Sequence, residues 1–336
     1  MIKKSVTMSD IAKAMNVSTV TVSKALGGRE GVSEALRGKI KQKAAEMGYR
    51  AHTGNRAAKE GVTYNIGIIV AKQFISEPSA FYWIIYKHLV ELLQRQNYYG
   101  MLEVVNEKDG SFDIPNSVME KRIDGLIVLG QFPENYVEKL TSHYIPTVLL
   151  DFCSARGEAD AVLSDNFYGA YLLTSHVIAN GHRKIAFLGN IGYSSTAQDR
   201  FLGYYKALLE NRIPLRQEWV LRSSADGDNA KVFDLPEEMP TAFVCSSDEI
   251  AFSLVNQLKS AGLRIPQDVS VAGYDNHIYA TMSAPHLTTM DVDAHRMAEE
   301  TTKILLAKIR GEERKHGRTL ITGKLIVRDS VRNLFS

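Results

Sequence analysis

The first fifty residues repeat apolar and polar positions at a helical spacing, interrupted twice by short polar turns. Thr7, with Asp10 three positions on, predicts a helix start in which a hydroxyl accepts an amide hydrogen of the first turn. Ile11, Ala12 and Ala14 then mark the buried side of a first helix. Asn16 stands where the chain must turn tightly, and Asn tolerates left-handed backbone. Ser18 starts a second helix with Val22, Ala25 and Leu26 on one face, and Gly27 with Gly28 stops it. Ser33 caps a third, with Ile40, Ala44 and Met47 inward and Gly48 at its end. Gly38, inside that helix, weakens it by about 1 kcal/mol relative to Ala.

Residues 51–65 are polar and aperiodic, which predicts a linker. Beyond it the period changes. Short apolar runs at 65–70, 101–105, 125–129 and 147–150, then at 185–188, 241–245 and 269–273, alternate with helical stretches such as 198–210 and 249–261. Apolar strands alternating with amphipathic helices predict parallel sheets covered by helices on both faces. Roughly 270 residues of this pattern exceed one tidy sheet and predict two lobes.

Charge sharpens the division. The chain has 336 residues and a net charge of +2. Residues 1–60 hold twelve Lys or Arg against five Asp or Glu, and the remainder twenty-eight against thirty-three, so the two parts carry +7 and −5. The asymmetry points to a basic module that meets a polyanion, although a charge run also serves as a solvated face. Helix, three-residue turn and helix at the start of a basic segment is the arrangement of helix-turn-helix DNA readers. The same spacing fits an ordinary three-helix bundle.

Other classes find little support. Cys153 and Cys245 are far apart and read as small buried hydrophobes in a reducing compartment. The amino terminus lacks the apolar core of a signal peptide. The apolar stretch from Ala80 to Leu93 is broken by Lys87, His88 and Glu91 and is too short to span a bilayer. A cytoplasmic location is therefore expected. Dinucleotide, P-loop, nucleophile-elbow and zinc-protease motifs are missing, the histidines show no ligand spacing, and His182 reads as structural. The reading is a non-enzyme without cofactor or metal.

Segment 6–26 (VTMSDIAKAMNVSTVTVSKAL), with 31–40 (GVSEALRGKI) and 47–49 (MGY), resembles the amino-terminal signature of the lactose-repressor (LacI) family. The resemblance implies that Thr19, Val20 and Lys24 read bases while Thr21 and Ser23 hold phosphates. Thr7, Ser18 and Tyr49 complete the DNA-facing set. Val20 offers only apolar contact, for instance to a thymine methyl, and Lys24 donates to guanine O6 or N7. Gly27 stands where many members have Asn. In the family a hinge helix wedges a Leu into the minor groove. Here that position is Ala58, with Gly54 and Asn55 nearby and Arg56 retained. A methyl is a poor wedge, so a weaker hinge is expected, with Arg56 reading a narrow minor groove.

The body resembles the family's sensor, which has the fold of periplasmic sugar-binding proteins. The carrying segments include 66–70 (IGIIV), 123–129 (IDGLIVL), 145–151 (IPTVLLD), 181–189 (GHRKIAFLG), 200–203 (RFLG), 265–275 (IPQDVSVAGYD) and 285–289 (PHLTT). The implied architecture is an all-α helix-turn-helix headpiece (1–50), a hinge (51–64) and an α/β two-lobed sensor (62–336) of two parallel doubly wound sheets. Lobe one takes 62–160 and 291–320, and lobe two 161–290 and 321–336.

Ligands of such folds bind at the carboxyl ends of strands, between lobes. Arg200 matches a ligand-binding Arg whose fork suits vicinal hydroxyls or a carboxylate, an ordinary ion pair being the alternative. Asp275 matches a hydroxyl acceptor, and Asp151 ends a strand facing the same way. Phe81 and Tyr82 match aromatic positions that lie on a sugar face, or else pack in the core. Ser247 stands where members often carry Asn, and the 193–196 segment, Ser195 included, lines the mouth. The resemblance implies a repressor of carbohydrate-metabolism genes that binds a pseudo-palindromic operator as a homodimer under a sugar-like effector. A regulator dependent on a partner protein is the alternative. No heptad tail follows Asn333, so a tail-built tetramer is not expected.

Overall fold

The structure is a computed structural model describing residues 6–26, 30–47, 62–76, 81–157, 159–192, 194–222, 233–312 and 317–335. The stops and hinge positions Gly27, Gly28, Gly48, Tyr49, Gly54, Asn55, Arg56 and Ala58 lie outside the described residues. The chain divides into two compact units, Met1–Thr63 and Tyr64–Ser336.

In the first unit, helices α1 (Met8–Met15), α2 (Thr19–Leu26) and α3 (Glu34–Glu46) follow the expected punctuation. The Thr7 hydroxyl accepts from the Asp10 amide at 3.3 Å, and the Thr7 amide donates to the Asp10 carboxylate at 2.8 Å. Asn16 closes α1 in left-handed backbone, φ 50° and ψ 45°. Ser33 accepts from the Leu36 amide at 3.4 Å to start α3. Ile11, Ala12, Val22, Ala25, Ile40 and Ala44 form a small buried core. Ala14 is a correction: it is exposed. The apolar stripe is centred between Ile11 and Ala12, where Met8 and Met15 also fall, and Ala14 stands about 110° round from it.

The second unit contains two six-stranded sheets. The first runs Arg318–Ile321, Asp160–Ser164, Thr147–Leu150, Gly125–Leu129, Asn65–Ala71, Tyr99–Val105, all parallel. The second runs Lys324–Ile326, Thr288–Asp291, Ser270–Asp275, Ala242–Cys245, Ile185–Leu188, Val220–Leu221. Its edge strand Lys324–Ile326 is antiparallel, so this sheet is mixed rather than wholly parallel. Both faces of each sheet are covered, which is why the strands read as continuous apolar runs. Ile66, Ile68 and Val70 enter one core while Ile69 and Ala71 enter another.

The strand Asp160–Ser164 lies wholly in the first sheet, so the chain first crosses at Asp165, not at the expected 160/161 boundary. Its return crossings follow Asp291 and Ile321. Among the described residues, seven short strands, at 107–108, 111–112, 160–164, 220–221, 288–291, 318–321 and 324–326, add to the runs read from sequence. Among the described residues, no helix is long and apolar enough to cross a membrane.

Candidate nucleic-acid interface and ligand cleft

The first candidate site is the face of α2. Ser18, Thr19, Val20, Ser23 and Lys24 are all exposed, whereas Thr21 is half-buried. Val20, 63% exposed, is a branched apolar side chain on the outer face of α2, free to meet a partner surface. The Thr21 amide donates to Ser18 Oγ at 3.0 Å and the two hydroxyls meet at 2.8 Å, so both residues also cap α2. Lys24 extends its ammonium over Gly31, where a Cβ would stand 3.3 Å from Nζ. The glycine leaves room for that arm. Arg37 Nη1 donates to the Ala25 carbonyl at 3.5 Å, tying the end of α2 to α3.

The second site lies where the two sheets of the larger unit present their carboxyl ends. Helix Ser195–Glu210 carries Arg200 and packs tightly on helix Asn166–Ala179. Gly203 permits this, since a Cβ there would overlap the Phe167 carbonyl. Arg200 is buried, and its guanidinium donates to Asn166 Oδ1 at 2.7 Å and to the Ser246 carbonyl at 2.5 Å. It pairs with Asp275 Oδ1 at 2.9 Å and lies 3.9 Å over the Tyr274 ring. Burial works against its charge, but Asp275, Tyr274 and Asp151 more than offset this and raise its pKa.

Asp151, from the first sheet, accepts from the Tyr82 phenol at 2.8 Å. Burial, only partly offset by Tyr82 and Arg200, pushes its carboxyl up to about 6. Asp275 is likewise raised by burial, with Arg200 working the other way. The Tyr82 phenol is pushed well above its ordinary value by burial and by the Asp151 charge. Asp151 and Asp275 both have left-handed backbone, φ 68° and 101°. Two non-glycine residues held there at one site indicate local strain kept by the surroundings.

The structure therefore brings together Tyr82, Asp151, Arg200 and Asp275. Phe81 stands against Tyr82, ring centroids 5.8 Å apart, and also packs on the main core. Ser195 donates its hydroxyl to Gln131 Oε1 at 2.8 Å, joining the two lobes across the cleft. The Ser247 hydroxyl is used locally instead. Its Oγ accepts from the Ile250 amide at 3.3 Å and caps helix Asp248–Ser260. Tyr193 lies outside the described residues.

Sequence reasoning missed Gln131, Asn166, Tyr274 and Asp248. Asp248 is fully buried, takes the His277 amide at 2.7 Å, and is pushed up to about 8 by burial and by Asp275. Its Oδ1 lies against Gly273, where a Cβ would overlap it. The glycine before Tyr274 was the available signal. His182 is buried between Thr241 Oγ1 (2.9 Å) and the Arg332 carbonyl (3.1 Å). Cys245 is buried and its thiol is pushed up by desolvation. Among the described residues, no group of three or more His, Cys, Asp or Glu could hold a metal ion.

A helix-turn-helix unit joined to a two-lobed α/β domain with charged groups converging between its sheets defines a DNA-binding regulator with a ligand-sensing body. The chain belongs to the LacI family of bacterial regulatory proteins and is a DNA-binding transcriptional repressor of that family. Residues 7–52 match the description "Bacterial regulatory proteins, lacI family", and residues 174–331 match a periplasmic binding protein-like domain. The HTH-type transcriptional repressor PurR of Vibrio vulnificus is 31% identical over 338 residues, covering 98% of this chain and 99% of the relative. The lac repressor dimer bound to operator and the anti-inducer ONPF is similar in fold, with TM-score 0.80 at 20% identity over 98% of this chain and 100% of that one. The CelR–cellobiose complex is also similar, with TM-score 0.67 at 21% identity over 97% and 99%.

Proposed function

We propose that this repressor senses a small carbohydrate held between the lobes of its larger unit, and that the sugar sets its affinity for a two-fold operator. The observation that carries the reading is the pair of carboxylates, buried Asp151 from one sheet and half-buried Asp275 from the other, each already held by a neighbour. Carboxylates in a cleft withdrawn from bulk solvent are acceptors for vicinal hydroxyls, and the rings of Phe81 and Tyr82 offer apolar faces beside them. Arg200 has most of its donors engaged with the protein, so it serves to hold Asp275 in place. The cellobiose found with CelR supports a sugar. On the DNA side, Thr19, Val20 and Lys24 contact bases, Thr21 and Ser23 contact phosphates, and two chains act as a cytoplasmic homodimer.

A purine is the second reading. The relatives carry the name PurR, and Phe74 and Phe81 each meet Tyr82 edge to face, centroids 5.2 and 5.8 Å apart, an aromatic cluster beside the carboxylates on which a planar base could lie. The test is calorimetric titration of the full chain with pentoses, hexoses and disaccharides, and separately with hypoxanthine and guanine, followed by operator binding with each binder. A sugar that binds and moves operator affinity by about 5–150-fold is the expected result. Binding of a purine alone overturns the carbohydrate reading. Response to no small molecule points instead to a partner protein.

A further inference from the structure

Three consecutive residues at the carboxyl end of strand Ser270–Asp275 face three different elements. Asp275 pairs with Arg200 on helix Ser195–Glu210 at 2.9 Å. The Asn276 side chain donates from Nδ2 to Asp291 Oδ1 at 2.9 Å, and its Oδ1 accepts from Arg328 Nη2 at 2.7 Å. The His277 amide donates to Asp248 on helix Asp248–Ser260 at 2.7 Å. Asp275 and Asn276 are both left-handed, φ 101° and 51°, so their backbone has little freedom to relax without breaking one of these anchors.

The partners of Asn276 sit where the lobes are joined. Asp291 ends strand Thr288–Asp291, and the chain then crosses to helix Ala294–Ile309. Asp291 is also matched with Lys324, the first residue after another crossing. Between them Gly323 admits no side chain, since a Cβ there would overlap the Asp291 carbonyl. Arg328, beyond that crossing, donates to the Leu287 carbonyl at 2.8 Å and from its backbone to Thr288 Oγ1 at 3.0 Å. One side chain is thus bonded to both segments, and each bond involves a charged group, the stronger and more directional kind.

We infer that Asn276 is a positioning residue that transmits movement of Asp275 in the cleft to the crossings at 292–293 and 322–323. The inference rests on the cleft being the effector site, but its test needs no effector. Asn276→Asp keeps a residue tolerant of left-handed backbone and keeps the acceptor for Arg328, but sets a carboxylate against Asp291. The double change Asn276→Asp with Asp291→Asn exchanges amide and carboxylate, so the bond can form again with its donor reversed.

Hydrogen exchange by mass spectrometry on the full, effector-free chain reads the result. Asn276→Asp is expected to speed exchange about tenfold or more at 275–278 and also at 292–294 and 322–324, with the double change returning all three to within about twofold. Faster exchange confined to 275–278, or crossings left fast in the double variant, overturns the relay. Should Asn276→Asp not accumulate as folded protein, Arg328→Lys keeps the charge and gives up the bond, and unchanged crossings in it overturn the relay equally. A chain that binds no sugar yet shows this pattern sinks only the carbohydrate reading, and a sugar-binding chain without the pattern sinks only the relay.

Discussion

In the three-helix unit the candidate contact residues stand in water. Val20 is 63% exposed, and Thr19, Ser23 and Lys24 are exposed beside it. In the sensor unit the charged candidates are withdrawn from solvent: Asp151 is 5% exposed and Arg200 9%, and Asp275, with Phe81, Tyr82, Ser195 and Ser247, is half-buried around them. The first site is carried by a helix that short caps and a six-residue core would hold whatever its outer face displays. The second site is part of what holds its own unit together. Substitution should therefore separate function from stability in one region and join them in the other.

The largest effect is expected from Arg200→Met. It leaves Asp275 and Asp151 buried without their cation, and urea unfolding should show a loss of about 3–5 kcal/mol at neutral pH. A stability within about 1 kcal/mol of the parent would mean that the carboxylates escape to solvent, and the contrast between regions would fail.

Asp151→Asn should act in the other direction. The Asp151 carboxyl is raised from 3.8 to about 6, so the folded state holds the proton more tightly than the unfolded chain. Its contribution to stability is then greatest below 3.8 and is lost as pH rises to about 6. The Asn variant should gain up to about 3 kcal/mol over the parent above pH 6 and match it near pH 4. Thermal unfolding across that range checks the sign, and a gain that grows toward acid pH would contradict it.

The smallest stability effect belongs to the headpiece. Thr7→Ala removes the cap on α1 and should cost about 1 kcal/mol, read as earlier melting of that unit. Val20→Ala, by contrast, should leave its melting unchanged within about 0.5 kcal/mol. A larger loss would place Val20 in the fold rather than on a contact surface.

The headpiece was legible in the sequence because its punctuation is local. Thr7, Asp10, Asn16 and Ser33 act on amides within a few residues. Ala14 misled because an alanine fits either face of a helix and only the position of the stripe decides. In the body, runs such as 125–129 announce themselves because both sheet faces are covered. Strands 318–321 and 324–326 do not, because they are edges with exposed polar positions. Of the cleft, Tyr82, Asp151, Arg200 and Asp275 could be named from strand ends and family resemblance. Gln131 could not, because its partner Ser195 lies 64 residues away, and Asp248, although it falls in a matched family pair with Ser247, gave no sign of its bond to His277, 29 residues on. Asn276 was hidden for the same reason, its partner Arg328 lying 52 residues on. Ser247 was named for the cleft but caps a helix, a local use that its position before Asp248 could have suggested.

On the proposed reading, the exposed face of α2 reads sequence while the cleft sets its strength. Selection of bound duplexes from a random pool, run in parallel on the full chain and on Lys24→Ala, tests this most directly. The expected result is a two-fold symmetric site for the parent, and for the variant a loss of about 1–3 kcal/mol of discrimination confined to one base position per half-site. Recovery of the same site with the same discrimination from both proteins, or of no site from the parent, would contradict it.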